Sequence, residues 1–270
     1  MNSLDLKLKG LRESLMGLES VVVAFSGGVD STFLLKMCCD VLGERVLAVT
    51  ADSPIHPAHE LGDAVRTAES LRVKHLVVRT RELQDRVFTA NSPDRCYHCK
   101  MGLFRALKEI ALANGVLNIV EGSNVDDLED YRPGARAAGE MRVRRPLQEA
   151  GLTKAEIRDL SKEMGLPTWN KPSLACLASR IPYGSPITPE ALASIDAAET
   201  FIRSLGIAQV RVRHYGQTAR IEVEPGDIEK LARETNRQRI GSHLKGLGYI
   251  YVTLDLVGYR TGSLNEGVLS

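Results

Sequence analysis

A short apolar run, Val21-Val22-Val23-Ala24-Phe25, passes directly into Ser26-Gly27-Gly28-Val29-Asp30-Ser31 and then into a helical pattern over residues 30–42. A β-branched run of that length reads as a strand buried on both faces, which calls for a parallel sheet covered by helices. Two glycines let the backbone turn sharply and approach a ligand with no Cβ in the way. Amide N–H groups left free at the helix start point outward, and the helix dipole favours an anion there. Ser26 and Ser31 add hydroxyls, and Asp30 is placed to hold Mg2+ against phosphate. No lysine ends the loop, so it is not a Walker A loop, and it suits departing pyrophosphate better than γ-phosphoryl transfer. The plainer reading is a strand–helix turn capped by aspartate.

The remaining pattern repeats the strand–helix unit. An amphipathic helix over 4–19 carries Leu4, Leu8, Leu11, Leu15 and Leu18 at three- and four-residue steps. Strands are expected at 46–50, 73–78 and 116–120, and helices at 58–71 and 97–113. Such alternation predicts right-handed βαβ crossovers, with ligands at the carboxyl ends of the strands. Residues 26–31, 51–57 and 121–127 would converge there. Residues 123–145 read as loop, 154–164 as helix, and 169–186 as an irregular, proline-containing boundary. Beyond it, helices at 189–205 and 227–240 and strands at 209–214, 218–223 and 249–254 predict a small αββαβ module. The expected division is an ATPase domain over 1–170, a hinge over 171–186, and a small α+β substrate or oligomerisation domain over 187–270.

Charge and cysteine usage exclude other classes. With 35 Lys+Arg against 34 Asp+Glu and 5% aromatics, the 270-residue chain lacks the composition of a nonspecific nucleic-acid binder, so no nucleic-acid partner is expected. No apolar run of about 18 residues predicts a membrane span. The first twenty residues lack the apolar stretch of an export signal, and five cysteines are an odd count; both predict a cytoplasmic protein with reduced thiols.

The segment at 26–31 resembles the signature of the PP-loop ATPases, the adenine nucleotide α-hydrolase-like group that includes NAD synthetase, argininosuccinate synthetase and tRNA-thiolating enzymes. The resemblance implies a five-stranded parallel sheet and cleavage of ATP to AMP and pyrophosphate, with an oxygen adenylated and its carbon then attacked by nitrogen or sulfur. Glu121-Gly122-Ser123-Asn124-Val125-Asp126-Asp127 resembles the second segment of that group, where Asp126 and Asp127 would assist Mg2+ or pyrophosphate. A solvated acidic loop with Glu129 and Asp130 is the plainer reading. Ala24, Ser26, Gly27, Gly28, Asp30, Ser31, Ser53, Gly122, Asp126 and Arg132 are the ATP-binding residues so implied.

A narrower resemblance runs from about residue 4 to 265. Pro146-Leu147-Gln148-Glu149, Trp169-Asn170-Lys171, Ser179-Arg180-Ile181-Pro182-Tyr183-Gly184, Val210-Arg211-Val212-Arg213, Ala219-Arg220-Ile221-Glu222 and Gly258-Tyr259-Arg260 look like the LarE family. That family comprises ATP-dependent sulfur transferases of nickel-pincer cofactor synthesis. The resemblance implies a pyridinium dicarboxylate mononucleotide as substrate and a homo-oligomer. Lys100, Arg132, Lys171 and Arg180 are then candidates near the activation site, with Asp30, Lys100 and Cys176 as catalytic residues.

Cys96 and Cys99, at i and i+3, share a helix face if the region after Cys96 is helical. With Cys176 they would hold a 4Fe-4S cluster with one iron lacking a protein ligand. The family has a three-cysteine form that this pattern resembles, and a form in which one hinge cysteine surrenders its own sulfur. Zinc with His98, a redox pair and coincidence are the other readings of the CxxC; His98, at i+2 from Cys96, points off the shared face. Cys38 and Cys39 read as core filler. Arg211 and Arg213 alternate along one strand, with Arg220 on the next and Arg260 after the last. Planar guanidinium forks suit carboxylate and phosphate, so these arginines with Arg180, oriented by Glu199 and Glu222, are the expected substrate-binding set. A solvated face of paired charges is the plainer alternative. A tRNA-thiolating enzyme on the same core, or an amide-forming ligase or nucleotide sensor without sulfur chemistry, are the competing functions.

Overall fold

The computed structural model describes residues 3–128, 133–172 and 175–260. In chain order the elements are α1 (Ser3–Met16), β1 (Val21–Ala24), α2 (Val29–Leu42), β2 (Val46–Asp52), α3 (Ala58–Ser70), β3 (Lys74–Arg79), α4 (Arg86–Thr89), α5 (Arg95–Ala113) and β4 (Asn118–Glu121). There follow α6 (Pro133–Glu140), α7 (Pro146–Glu149), α8 (Lys154–Glu163), α9 (Pro189–Ser204), β5 (Val210–Tyr215), β6 (Thr218–Val223), α10 (Ile228–Ala232), α11 (Glu234–Gly246) and β7 (Tyr251–Leu254). The chain divides into two compact units: Met1–Ser53 with Ala58–Phe88 and Asp94–Ser173, and Pro54–Pro57 with Thr89–Pro93 and Leu174–Ser270.

In the first unit the sheet order is β3-β2-β1-β4, every neighbouring pair parallel. The valine run explains its centre. Val21 and Val23 enter a core with Leu11, Leu15, Phe33, Leu34 and Ile157, and Val22 enters another with Leu47, Val49, Phe104 and Leu107. Successive side chains of a strand point to opposite faces, so a strand covered by helices on both sides needs every residue apolar.

Four strands stand where five were expected. The place beside β4 holds a single parallel bridge, Val120 to Arg144, with Glu121 N–H on the Arg144 carbonyl at 3.0 Å and Arg144 N–H on that of Ile119 at 2.9 Å. Pro146 then opens α7, and a residue without an N–H cannot continue the ladder. Residues 123–145, which read from sequence as loop, contain a 3-10 turn, Val125–Leu128, and helix α6. Pro133 starts that helix, where its missing N–H costs nothing, and Ala137 and Ala138 are fully buried against α5.

In the second unit β5 and β6 are antiparallel, and β7 joins β6 in parallel, giving the order β5-β6-β7. Ala198 and Ile202 of α9, Val210 and Val212, Ile221 and Val223, and Leu244 of α11 build its core. The helix expected over 227–240 is two helices, because Arg233 adopts an extended backbone (φ −56°, ψ 141°) between α10 and α11. No helix among the described residues is long and apolar enough to cross a membrane.

Candidate functional site

In the first unit, β1 ends at Ala24, and Phe25 N–H still reaches the Val49 carbonyl at 2.9 Å. The chain then turns through Gly27, whose φ of +70° is left-handed, and Gly28 caps α2. A Cβ at Gly27 would sit 3.0 Å from Cα and Cβ of Ala64 on α3, so both conformation and space require glycine. Ser31 Oγ accepts from Ser26 N–H at 3.3 Å, lies 3.0 Å from Ser26 Oγ, and donates to the Gly28 carbonyl at 3.2 Å. The two serines therefore hold the loop in shape while leaving it lined by backbone.

The segment after β4 packs directly on this loop. A Cβ at Gly122 would lie 2.9 Å from Ser31 N and 3.1 Å from the Asp30 carbonyl carbon. Backbone meets backbone there, which places Gly122 in the loop's wall. Asp30 pairs with Lys154, the first residue of α8; its Oδ1 is buried with no partner among the described residues. That orphaned oxygen beside the phosphate loop is an acceptor fit for Mg2+. Lys171 Nζ reaches the Gly27 carbonyl at 3.2 Å and Asp63 at 3.5 Å. Asp126 accepts the Lys154 backbone N–H at 2.9 Å, and Asp127 accepts that of Asn124 at 3.0 Å. A Thr153–Glu156 capping box fixes the start of α8 and with it the root of Lys154. Ser53, just past β2, donates to Glu82 at 2.9 Å. Arg132, Glu129 and Asp130 lie outside the described residues.

Lys154 carries no local signal in the sequence: it stands 124 positions from Asp30, and it reads there only as an early residue of a capped helix. Lysine does reach this loop, from elsewhere in the chain rather than from its end.

Helix α5 carries Cys96 and Cys99 in its first turns, on one face, both half-buried thiols. Lys100 on the same helix pairs with Glu121, the buried last residue of β4, and Ser123 donates to that carboxylate at 2.9 Å. Burial opposes the charge of Glu121, but Lys100, Ser123 and Arg145 outweigh it and hold the carboxyl below its ordinary range. The cysteine helix is thus tied to the strand end that bears Gly122. Cys38 is fully buried and Cys39 partly so, and burial pushes the Cys39 thiol up to about 11, which suits filler and not reactivity. Among the described residues no three His, Cys, Asp or Glu side chains are gathered as a metal cage.

In the second unit the arginines are not a solvated face. Arg180, Arg211 and Arg213 are buried, as are Glu199 and Glu222. Arg180 forks onto Glu199 at 2.8 and 3.0 Å, and Arg203 meets the same carboxylate at 2.8 Å. Arg213 binds Glu222 at 2.7 and 2.9 Å and donates to the Ser179 carbonyl at 2.9 Å; Arg220 reaches Glu222 at 2.7 Å. Burial opposes ionisation of Glu199, but Arg180, Arg203 and Arg211 together keep it below the usual carboxylate range. Arg211 lies 5.4 Å from the Tyr259 ring centroid, and burial and the neighbouring charge of Arg180 bring its guanidinium down to about 10. Arg260 follows β7 and donates weakly to the Gly258 carbonyl at 3.4 Å. Cys176 stands at the head of a 3-10 turn, Leu177–Arg180, and is partly exposed.

A glycine-lined anion loop between the first strand of a parallel α/β sheet and its helix, without a Walker lysine, defines a PP-loop ATPase. Residues 7–103 match the NAD synthase family. The chain is 43% identical over 263 residues to an uncharacterized protein of Synechocystis, covering 97% of this chain and 98% of that one. It is 40% identical over 270 residues to the pyridinium-3,5-bisthiocarboxylic acid mononucleotide synthase of Lactiplantibacillus plantarum, covering 98% and 96%. A tRNA-specific 2-thiouridylase of Heliobacterium modesticaldum is 27% identical, over 57% of this chain and 50% of that one. The chain belongs to the family of the pyridinium-3,5-bisthiocarboxylic acid mononucleotide synthase, the LarE family.

Proposed function

We propose that this protein is an ATP-dependent sulfur transferase that converts a carboxylate of pyridinium-3,5-biscarboxylate mononucleotide into a thiocarboxylate in nickel-pincer cofactor synthesis. The single observation that carries this reading is the full-length likeness to a synthase of the bisthiocarboxylic acid, on a chain whose first unit presents a bare-backbone phosphate loop. The likeness to the tRNA thiolase reaches little more than half the chain, which favours the small-molecule substrate.

The chemistry runs in two steps. A carboxylate oxygen attacks the α-phosphorus of ATP, the α–β bridge breaks, and pyrophosphate leaves with its charge held by residues 26–31 and by Lys154. The acyl adenylate now carries AMP, a far better leaving group than oxide. Sulfide adds to the acyl carbon, AMP departs with the electron pair of the C–O bond, and a thiocarboxylate remains. Asp30 would hold Mg2+, which offsets phosphate charge. Ala24, Ser53, Gly122, Asp126 and Arg132 complete the proposed nucleotide site, and Lys100 stands with Asp30 and Cys176 as catalytic. Of the expected substrate set, Glu199, Arg211, Arg213, Glu222 and Arg260 are kept as candidates, and Arg180, forked onto Glu199, is not.

Cys96, Cys99 and Cys176 would hold the 4Fe-4S cluster; paired thiols on one helix face fit iron. When bound, that cluster would supply a transferable sulfide. The functional division remains 1–170 for pyrophosphatase chemistry, 171–186 as hinge and 187–270 for substrate or assembly, in a cytoplasmic homo-oligomer. Anaerobic incubation with ATP, sulfide and the dicarboxylate mononucleotide tests the reading. The expected result is one AMP and one pyrophosphate per thiocarboxylate, with product mass raised by the exchange of oxygen for sulfur. AMP formation that ignores the acid, or sulfur incorporated into tRNA instead, overturns it.

A further inference from the structure

The peptide planes on either side of Cys176 are both held. The Ala175 carbonyl accepts from Nη1 of Arg180; the Cys176 carbonyl accepts from the same nitrogen at 2.9 Å, and the Leu177 N–H donates to the Ile55 carbonyl at 2.7 Å. Because the peptide is planar, fixing both planes fixes φ and ψ of the residue between them and so the direction of its Cβ. Arg180 itself has no freedom. It is fully buried; Nε and Nη2 fork onto Glu199, and Nη1 also reaches Ser179 Oγ at 2.9 Å. Glu199 is fixed in turn by Arg203 and by the Val212 N–H at 3.0 Å. Arg213, held by Glu222, grips the Ser179 carbonyl at the other end of the turn. Each nitrogen of the Arg180 guanidinium has a protein acceptor and the side chain is fully buried, so it presents no exposed donor to a substrate carboxylate.

We propose that Arg180 is a positioning residue: it aims the sulfur of Cys176 by clamping the backbone on both sides of it, and it does not bind the dicarboxylate. The proposal rests on the reading of Cys176 as a sulfur-bearing position, and it serves either a cysteine that gives up its sulfur or one that ligates iron. A guanidinium is needed because one planar group must meet a carboxylate and two carbonyls at once, which a lysine ammonium cannot match.

The test uses the full chain, reduced, metal-free and under argon. Arg180→Lys and Glu199→Gln are compared with the wild type by iodoacetamide labelling of this metal-free protein, read peptide by peptide, and, after anaerobic reconstitution with iron and sulfide and addition of Mg2+ and ATP, by the rate of sulfur transfer. Arg180→Lys is expected to change the labelling rate of Cys176 by about tenfold while those of Cys96 and Cys99 stay within about twofold. The kcat for sulfur transfer should fall by about 100-fold with the KM for the dicarboxylate mononucleotide unchanged, because a misplaced reacting atom costs rate and not binding. Should neither variant fold, hydrogen exchange on the wild type decides. The Leu177 and Ser179 amides are expected to exchange equally slowly with and without saturating dicarboxylate mononucleotide. The proposal is overturned if Arg180→Lys raises KM with Cys176 labelling unchanged, if Glu199→Gln lowers KM by releasing an arginine to the substrate, or if substrate speeds exchange at those amides. The labelling readout needs no turnover. Failure of the sulfur-transfer reading would therefore leave Cys176 labelling responsive to Arg180→Lys.

Discussion

The two units hold charge in opposite ways. The loop at 26–31 in the first unit has almost no side chains of its own to offer an anion: two glycines and backbone amides form it, and two serine hydroxyls brace it. The arginine cluster of the second unit is the reverse, five buried charged side chains of which four are paired, Arg180 with Glu199 and Arg213 with Glu222. The amides of Ser26 and Gly28 rest only on serine hydroxyls at 3.3 and 3.4 Å, and the start of α2 behind them favours an anion. A guanidinium already forked onto glutamate has no such capacity, and breaking its pair strands a buried charge. The loop is thus built to receive an anion, and the saturated Arg180 is built to hold the chain around it in place.

The contrast is sharpest in stability. Arg180→Gln leaves Glu199 buried without its main partner and is expected to lower the unfolding free energy by about 3–5 kcal/mol, read from the denaturant midpoint. Gly122→Ala attacks the other side of the comparison. A methyl pressed against the Ser31 amide should reduce acid-dependent pyrophosphate release by about 100-fold, comparable to losing one donor from an anion hole. Its midpoint should move far less than that of Arg180→Gln. Lys154→Met removes a partly exposed cation paired with Asp30; pyrophosphate release should fall by about tenfold. Its stability should stay within about 1 kcal/mol, as for other exposed pairs.

The smallest effect is in acid. Glu199 has a folded pKa below its unfolded one, so its contribution is fully present above about pH 4.3 and is lost as pH falls through the folded value. The wild type should therefore lose stability as pH drops below about 4.3, and Glu199→Gln should be less stable at neutral pH and flatter across that acid limb. An equal slope in both proteins would remove the buried carboxylate from the account.

Much of the first unit was legible because its signals are local. The valine run, the glycine pair and the leucine spacing each sit within one element, so β1, its loop and α1 follow from pattern alone. Helix α6 escaped because its small residues and two glycines read as breakers, while its formation depends on packing against α5. The fifth strand failed at Pro146, which ends pairing after one bridge. On β5 and β6 the alternation of arginine was readable, but its burial was not: sequence gives the residues facing one way, and only the register, Arg211 opposite Glu222 and Arg213 opposite Arg220, brings those charges together. Lys154 and Asp30 meet only through the fold, as do Lys100 and Glu121.

The most direct measurement follows one oxygen atom. Dicarboxylate mononucleotide labelled with 18O in its carboxylates is incubated with ATP, sulfide and the protein, and the phosphorus products are read by 31P NMR and mass spectrometry. Unlabelled pyrophosphate and AMP carrying one 18O on its phosphate are expected, in step with thiocarboxylate. ADP with orthophosphate, or AMP without the label, would contradict adenylation of the acid.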